Sequence, residues 1–588
     1  MTKTNTWLST SVALGCSLAT AQCLASAESQ GYIVEAHSAV QAAAAVRETG
    51  GTVTHELPIV DGVSALLTPT QAAHLGEVPG IAVVADRLLA TQATSTSTVI
   101  PDIYQRSMLG VDQLAAQGIN GQGVTVAVVD SGMQQWDQGL LRDLAGNSRM
   151  VAQYDAIANV LVDATHPCAQ KPCVTDTYGH GTHIGNLIAS SAMGDPLQNG
   201  KPEGIAPMVH LINIKAFDGT GTGSYTNVLN GLNWILANQT TYGAIRVVNM
   251  SFGSKPQSFY WNDPIDQAVM KLWQAGIVVV ASAGNFGPAA QPIAVPGNTP
   301  YVITVGAMTD NFTPNDPTDD GVTSFSSAGP TYEGFVKPDI VAPGGHLAAF
   351  MASGQGPTLP AQLLAATYPQ FTSEDGNLFV MSGTSQAAAV TTGVVALMLQ
   401  ASPTLTPDQV KCRLLVTANS AVSSSGYSSY SVYQQGAGRI NAYAAVYSQA
   451  ANCANQGLDI AADIAGTIHY RGPAARNTIS GDFYVVNSQG VPLNNDGYIW
   501  NQSYAKGRAA QWKNGYMWVN NGYLWNVGFV WNQNYSFTNT AFTNEGYLWN
   551  SGYLWNSGYL WNSGYLWNSN SLAPASTTTV MESWNSQE

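Results

Sequence analysis

Three reactive side chains stand far apart in the chain, each at the edge of an apolar or small-residue run. Ala127-Val128-Val129-Asp130-Ser131-Gly132 is a strand-like stretch ending in a carboxylate. Gly179-His180-Gly181-Thr182-His183 opens a helix with an imidazole, and Gly383-Thr384-Ser385-Gln386-Ala387-Ala388-Ala389 opens another with a hydroxyl. Acyl transfer needs this trio: a hydroxyl is a weak nucleophile until an imidazole takes its proton, and the acid fixes the imidazole's tautomer. Ala281-Ser282-Ala283-Gly284-Asn285 adds a fourth group, because the Asn285 amide can donate to a tetrahedral oxyanion.

Such groups meet only if the fold carries them to one edge. Across residues 101–450 the runs Val124–Val129, Val209–Lys215, Val247–Met250, Ile277–Ala281 and Tyr301–Val305 alternate with helix-length segments. That alternation predicts an α/β body, a mostly parallel central sheet with helices on both faces. Burial of the first run up to Asp130 puts its carboxylate at the C-terminal edge of the sheet, where such folds bind ligands. A hydroxyl at a helix N-terminus sits near partial positive charge, which favours a developing oxyanion.

Taken in order, Asp130-Ser131-Gly132, His180-Gly181-Thr182-His183, Asn249-Met250-Ser251-Phe252-Gly253, Ala281 through Asn285 and Gly383-Thr384-Ser385 resemble the subtilisin-like serine proteases. The resemblance covers residues 105–450. It implies that Asp130 orients the base, His180 is general base and acid, Ser385 is the nucleophile, and Asn285 with the Ser385 N–H forms the oxyanion hole. It further implies that Gly221-Thr222-Gly223 and Ser251-Phe252-Gly253 flank an extended substrate as added strands, a grip suited to broad specificity. Ser251–Gly253 and Ala281, Ser282, Ala283 and Gly284 would then line a pocket for an uncharged, hydrophobic side chain before the cut. The departures are Gln386 and Ala389 where the family usually has Met and Pro, and Ile184-Gly185-Asn186 where it has Val-Ala-Gly. No triad position is altered. His183, three residues after His180, has metal-ligand spacing, but a zinc site needs a further ligand, and the HGTH context makes it a packed residue.

Around this body the 588 residues divide further. Lys3, an apolar stretch over 7–24 and Ala25-Ser26-Ala27 read as a cleavable export signal, residues 1–27. Residues 31–86 follow a β-α-β-β-α-β order like the ferredoxin plan, with Ser38 capping one helix and Pro69 opening the other. Thr91 through Thr98 is small and polar, an exposed linker that is easily cut. The family resemblance makes residues 28–98 an inhibitory propeptide and 99–450 the catalytic domain. Residues 451–490 read as a linker or small extension. Residues 491–588 carry a tandem repeat, Gly-Tyr-Leu-Trp-Asn-Ser, unbroken from Gly546 through Ser569. That aromatic-rich β repeat tail fits a self-packed structural tail, a polysaccharide- or surface-binding array, or a device for export or retention.

Composition narrows the partners. With 21 Lys and Arg against 36 Asp and Glu, the chain is acidic and has no basic block, which argues against nucleic acid or an anionic membrane face. After the signal no apolar run is long enough to span a bilayer. An exported protein keeps disulfides, and Cys168 with Cys173 and Cys412 with Cys453 are the pairs closest in sequence; reduced thiols are the alternative. No cofactor is required for such catalysis. Asp310, Asp316, Asp319 and Asp320 offer hard oxygen ligands for a structural calcium, or a solvated acidic loop. The competing overall reading is a surface or adhesion protein that keeps a protease scaffold without activity.

Overall fold

The computed structural model describes residues 29–91, 104–134, 138–162, 175–193, 201–287, 293–313, 316–352, 361–373, 378–421, 429–476, 483–485 and 529–530. The predicted signal, Cys168, Cys173, the linker after Thr91 and, apart from Phe529–Val530, the repeat tail lie outside these residues.

The N-terminal unit runs β1 (Gln30–Glu35), α1 (Ala39–Glu48), β2 (Thr52–Leu57), β3 (Gly62–Leu67), α2 (Pro69–Gly76) and β4 (Ala82–Ala85), with an antiparallel sheet in the order β2-β3-β1-β4. Ser38 accepts from Gln41 N at the start of α1, and Thr68 and Gln71 cap each other's backbone at the start of α2, with Pro69 in the first turn. Period-two alternation splits this sheet between two cores. Val34, Val63, Ala65 and Leu67 pack with Ala42, Val46 and Leu75 of the unit's own helices. Ile33, Leu57 and Val84 face the other way and join the core of the body. Next, β5 (Leu88–Thr91) leaves the unit to pair elsewhere.

The body starts with two short helices, α3 (Gln105–Met108) and α4 (Val111–Ala115), before β6 (Thr125–Asp130). Then come α5 (Gln138–Leu141), β7 (Met150–Asp155), β8 (Val160–Val162), α6 (His180–Ala189), β9 (His210–Lys215), β10 (Thr222–Ser224), α7 (Tyr225–Ala237), β11 (Ile245–Met250), β12 (Phe252–Gly253), α8 (Pro264–Gln274), β13 (Val278–Ser282), β14 (Ile303–Thr309), β15 (Gly321–Val322) and β16 (Ile340–Pro343). Strands β14, β13, β11, β6, β9 and β7 are neighbours in that order and parallel, with β16 parallel to β14 and antiparallel β15 and β8 at the edges. This is the predicted sheet. Its central strands are apolar and buried throughout because helices cover both faces.

A hairpin, β17 (Leu347–Phe350) with β18 (Leu378–Met381), encloses the short α9 (Leu363–Thr367). The long α10 (Thr384–Ala401) is buried almost all round, as its run of Ala, Val, Gly and Thr permits. It packs against α6 and beneath β11, β13, β14 and β16.

After α11 (Pro407–Thr417), α12 (Val432–Gln435) and α13 (Ala442–Tyr447), the chain continues past residue 450 without leaving the core. Cys453 is joined to Cys412 with Cα atoms 5.1 Å apart. In α14 (Ile460–Ile464) the buried Asp463 accepts from Tyr260 Oη at 2.6 Å, Tyr301 Oη at 2.9 Å and His469 Nδ1 at 2.9 Å. Tyr470 of β19 (Tyr470–Arg471), Ala474 of β20 (Ala474–Arg476), and Phe483 and Val485 of β21 (Phe483–Val485) belong to the same core. The described residues of 451–476 and 483–485 thus pack onto the body. Strand β19 pairs with β22 (Phe529–Val530), in the loose repeat that begins at Gly528.

Candidate active site

Asp130 ends β6 at the C-terminal edge of the sheet, beside Lys215 at the end of β9. Its Oδ1 accepts from Ser131 N at 2.8 Å and lies 2.8 Å from His180 Nδ1. That contact makes Nδ1 the protonated nitrogen and leaves Nε2 with the lone pair a general base needs. His180 is the first residue of α6, and its approach to β6 is possible only because residue 181 is glycine: a Cβ there would lie 2.2 Å from Gly132 O.

A second carboxylate organises this corner. Asp176 Oδ1 accepts from Ser131 Oγ, Tyr178 N and Gly179 N at 3.0, 3.0 and 2.8 Å, and its Oδ2 accepts from Thr182 N and Oγ1 at 2.8 Å each. Burial pushes the Asp176 carboxyl upward, and these bonds oppose that shift. Ser131 Oγ also receives Gly181 N at 2.9 Å, so one hydroxyl ties the strand end to the histidine loop. Lys215 Nζ donates to Ser131 O at 2.7 Å and Thr175 O at 3.0 Å from below.

Ser385 lies in the first turn of α10, and its Oγ donates to Ser251 O at 2.8 Å, while Ser251 Oγ donates to Ser385 O at 2.9 Å. Thr384 gives its N–H (3.0 Å) and Oγ1 (2.9 Å) to Asn285 Oδ1, which leaves the Nδ2 end of that amide as the donor. Asp130, His180 and Ser385 are each at most 1% exposed. His180 Nε2 makes no hydrogen bond among the described residues. The Nδ1 half of the relay is therefore formed, and the serine hydroxyl rests on the Ser251 carbonyl.

Over this site lies β5. Thr222, Gly223 and Ser224 of β10 pair antiparallel with Ala90, Leu89 and Leu88, and Phe252 and Gly253 of β12 pair with Thr91 and Ala90. The chain's own segment is thus the middle strand of three, with Leu89 buried and Leu88 exposed.

The subtilase family profile matches residues 121–459. The chain belongs to the subtilase family. It is 38% identical to serine protease AprX of Bacillus subtilis over 300 residues, half of this chain and 61% of AprX, and 29% identical to subtilisin E of the same species over 63% of this chain and 79% of that one. The fold is also that of fervidolysin from Fervidobacterium pennivorans, with a TM-score of 0.55 at 22% identity, covering 73% of this chain and 62% of that one. The chain thus spans less than two thirds of AprX and of fervidolysin. The two Bacillus subtilis relatives are named as a serine protease and a subtilisin.

Within this subtilase fold the sequence-predicted residues fall into three groups. Asp130 and His180 are in direct contact, as are Asn285 and Thr384 beside Ser385. Gly221 to Gly223 and Ser251 to Gly253 flank β5, and the small residues Ala281 to Gly284 follow from β13 beneath them. His183 is buried, with Nε2 3.2 Å from Leu347 O and 3.0 Å from Phe379 O; burial and neighbouring His180 push its pKa down to about 3, so it is a neutral donor. Asn186 donates to Thr182 O at 3.0 Å inside the helix and needs no wider gap.

The four acids expected around a calcium do not converge. Asp310 turns inward to His346 at 2.8 Å, Asp319 accepts from Thr313 Oγ1 at 2.7 Å, and Asp320 pairs with Arg439. No group of three or more metal-ligating side chains occurs among the described residues, so these donors do not fit a shared cation.

Sequence reasoning missed Asp176 and the strand β5. An acid four residues before the histidine, at the mouth of a helix, was the available sign of the first. Thr91, assigned to the linker, is the last residue of that strand.

Proposed function

We propose that this subtilase is a secreted serine endopeptidase made as a proenzyme whose first substrate is its own chain. The observation that carries this reading is the register of β5. Thr91 pairs with Phe252 and Ala90 with Gly253, so the strand runs antiparallel toward Ser251, the residue whose carbonyl holds the Ser385 hydroxyl. The first cut is accordingly placed just after β5, within the Thr91–Thr98 segment the sequence marks as easily cut.

Each residue has a task in that reaction. Rotation of the Ser385 hydroxyl from Ser251 O to His180 Nε2 makes it a nucleophile. Its oxygen attacks the carbonyl carbon while the proton passes to Nε2, and Asp130 stabilises the imidazolium through Nδ1–H. Asn285 Nδ2–H and the Ser385 N–H receive the oxyanion. The imidazolium returns its proton to the leaving amine, and water, deprotonated by His180, releases the acyl group. Main-chain pairing by β10 and β12 asks little of the substrate's side chains, which supports broad action on extended protein segments. The Ala25-Ser26-Ala27 site and the Cys412–Cys453 link support export to an oxidising compartment. No described helix is long and apolar enough to cross a membrane.

N-terminal sequencing of the protein recovered from culture medium, beside a Ser385→Ala variant, tests the whole reading. Wild type should begin within the segment that follows Thr91 and the variant near residue 28. A variant trimmed to the same end as wild type when expressed alone would refute self-cleavage.

A further inference from the structure

Between β16 and α10 the chain makes a detour. β17 and β18 pair from Leu347–Met381 at the base to Phe350–Leu378, and α9 lies in the excursion between them. This excursion is fastened to the histidine loop at two levels. At the base, His183 Nε2 shares its proton between Leu347 O and Phe379 O. Further out, Leu363 N donates to Thr177 O at 2.9 Å and Leu364 N to Tyr178 O at 3.0 Å.

Gln362, 1% exposed, joins the two levels. Its Nε2 donates to Asp176 O at 2.9 Å and to Thr182 Oγ1 at 2.8 Å, and its Oε1 accepts from Ala352 N at 2.9 Å. Thr182 Oγ1 in turn donates to Asp176 Oδ2, so the amide closes a ring around the loop that bears His180. The contacts fall four residues before the histidine and two after it. The same hairpin runs through β18 into Ser385, four residues beyond Met381. One short piece of chain therefore touches the base on both sides and is continuous with the nucleophile.

We propose that Gln362 is a positioning residue, holding the histidine loop at the separation from α10 at which His180 Nε2 receives the Ser385 proton. The inference rests on the peptidase reading above. Removing the amide leaves the buried Asp176 carbonyl without this donor and Thr182 Oγ1 with the Gln134 N–H alone, and the loop relaxes to satisfy the carbonyl. Displacement of a reacting group by about 1 Å costs on the order of a hundredfold in rate.

The test is Gln362→Leu in the full-length secreted protein, with kcat and KM for a chromogenic tetrapeptide expressed per active site titrated by a fluorophosphonate. The expected result is kcat per titrated site lowered about tenfold to a hundredfold with KM within twofold of wild type, and fluorophosphonate labelling slowed in parallel. A purely structural glutamine would reduce the yield of titratable sites or the Tm and leave kcat per site intact; that outcome overturns the proposal. If the leucine variant does not accumulate, Gln362→Met, an unbranched side chain of similar length that supplies no donor to Asp176 O, is read by the same criterion. Wild-type protein that turns over no peptide would sink the peptidase reading instead.

Discussion

The interior of the catalytic body and the face on which the N-terminal unit docks are both buried, yet they treat polar groups differently. Around Asp130 and His180 most buried donors and acceptors are tied together: the Asp176 carboxylate accepts five hydrogen bonds and Ser131 and Lys215 add others, with Asp130 Oδ2 and His180 Nε2 left without a partner among the described residues. The docking face starts similarly, with Asp86 accepting from Thr226 N and Oγ1 at 3.0 and 2.7 Å, and Arg87 paired to Asp263 at 3.0 Å above the Tyr225 ring. It then departs from that pattern at Glu35. That carboxyl is buried with Oε1 unpartnered among the described residues, and its Oε2 reaches only Gln267 at 3.4 Å. The difference lies in what is left unanswered: His180 Nε2 is the lone pair on which the proposed chemistry draws, whereas that chemistry makes no use of Glu35, and a buried polar group left unanswered weakens the contact that buries it.

The largest test of this contrast is Ser385→Ala. It should lower kcat/KM by roughly six orders of magnitude, the scale established for dismantling a subtilisin triad, and immunoblots should find residues 29–91 still in the chain. Asn285→Ala should cost about a hundredfold to a thousandfold in kcat with KM little changed, and steady-state kinetics on a short peptide reads it. Slow trimming of the propeptide in that variant would sharpen the link between maturation and catalysis.

On the docking face, burial above all pushes the Glu35 carboxyl up to about 8, with Asp263 and Asp61 adding to the effect and Gln267 and Lys271 opposing it. Once released, the group returns to the ordinary range near ~4.3. The docked state thus binds the extra proton, so docking weakens as pH climbs from about 4.5 to about 8 and levels off above. Glu35→Gln should flatten that dependence. Size-exclusion chromatography of the cleaved complex from pH 5 to 9 measures it, and wild type dissociating equally at both ends would break the comparison. The smallest effect belongs to Lys271→Ala. It removes a 2.7 Å pair with a half-exposed Asp61 and should change docking by at most ~1 kcal/mol.

What the sequence made legible were features with local causes. Val124–Val129 could only be a strand buried on both faces, and it delivered Asp130 to the sheet edge. The N-terminal unit announced itself through Ser38, Pro69 and alternating strands. What stayed hidden depends on partners distant in sequence. Leu88–Thr91 pairs by its main chain, which leaves no side-chain signature, and Gln362 is an ordinary glutamine until Asp176 and Thr182 stand beside it. The pairing of the acids at 310–320 was hidden for the same reason, since their partners His346 and Arg439 come from other segments. The composition change near 450 marked no boundary, because Asp463 reaches back to Tyr260 and Tyr301.

The seating of β5 has one more consequence. A strand delivered by its own covalent tether is present at the cleft at an effective concentration in the millimolar range. A free peptide in solution competes at a thousandfold disadvantage if it is micromolar, however well its side chains suit the pocket. On the proenzyme reading proposed above, newly folded copies crowded together would therefore leave one another intact until each has severed its own tether.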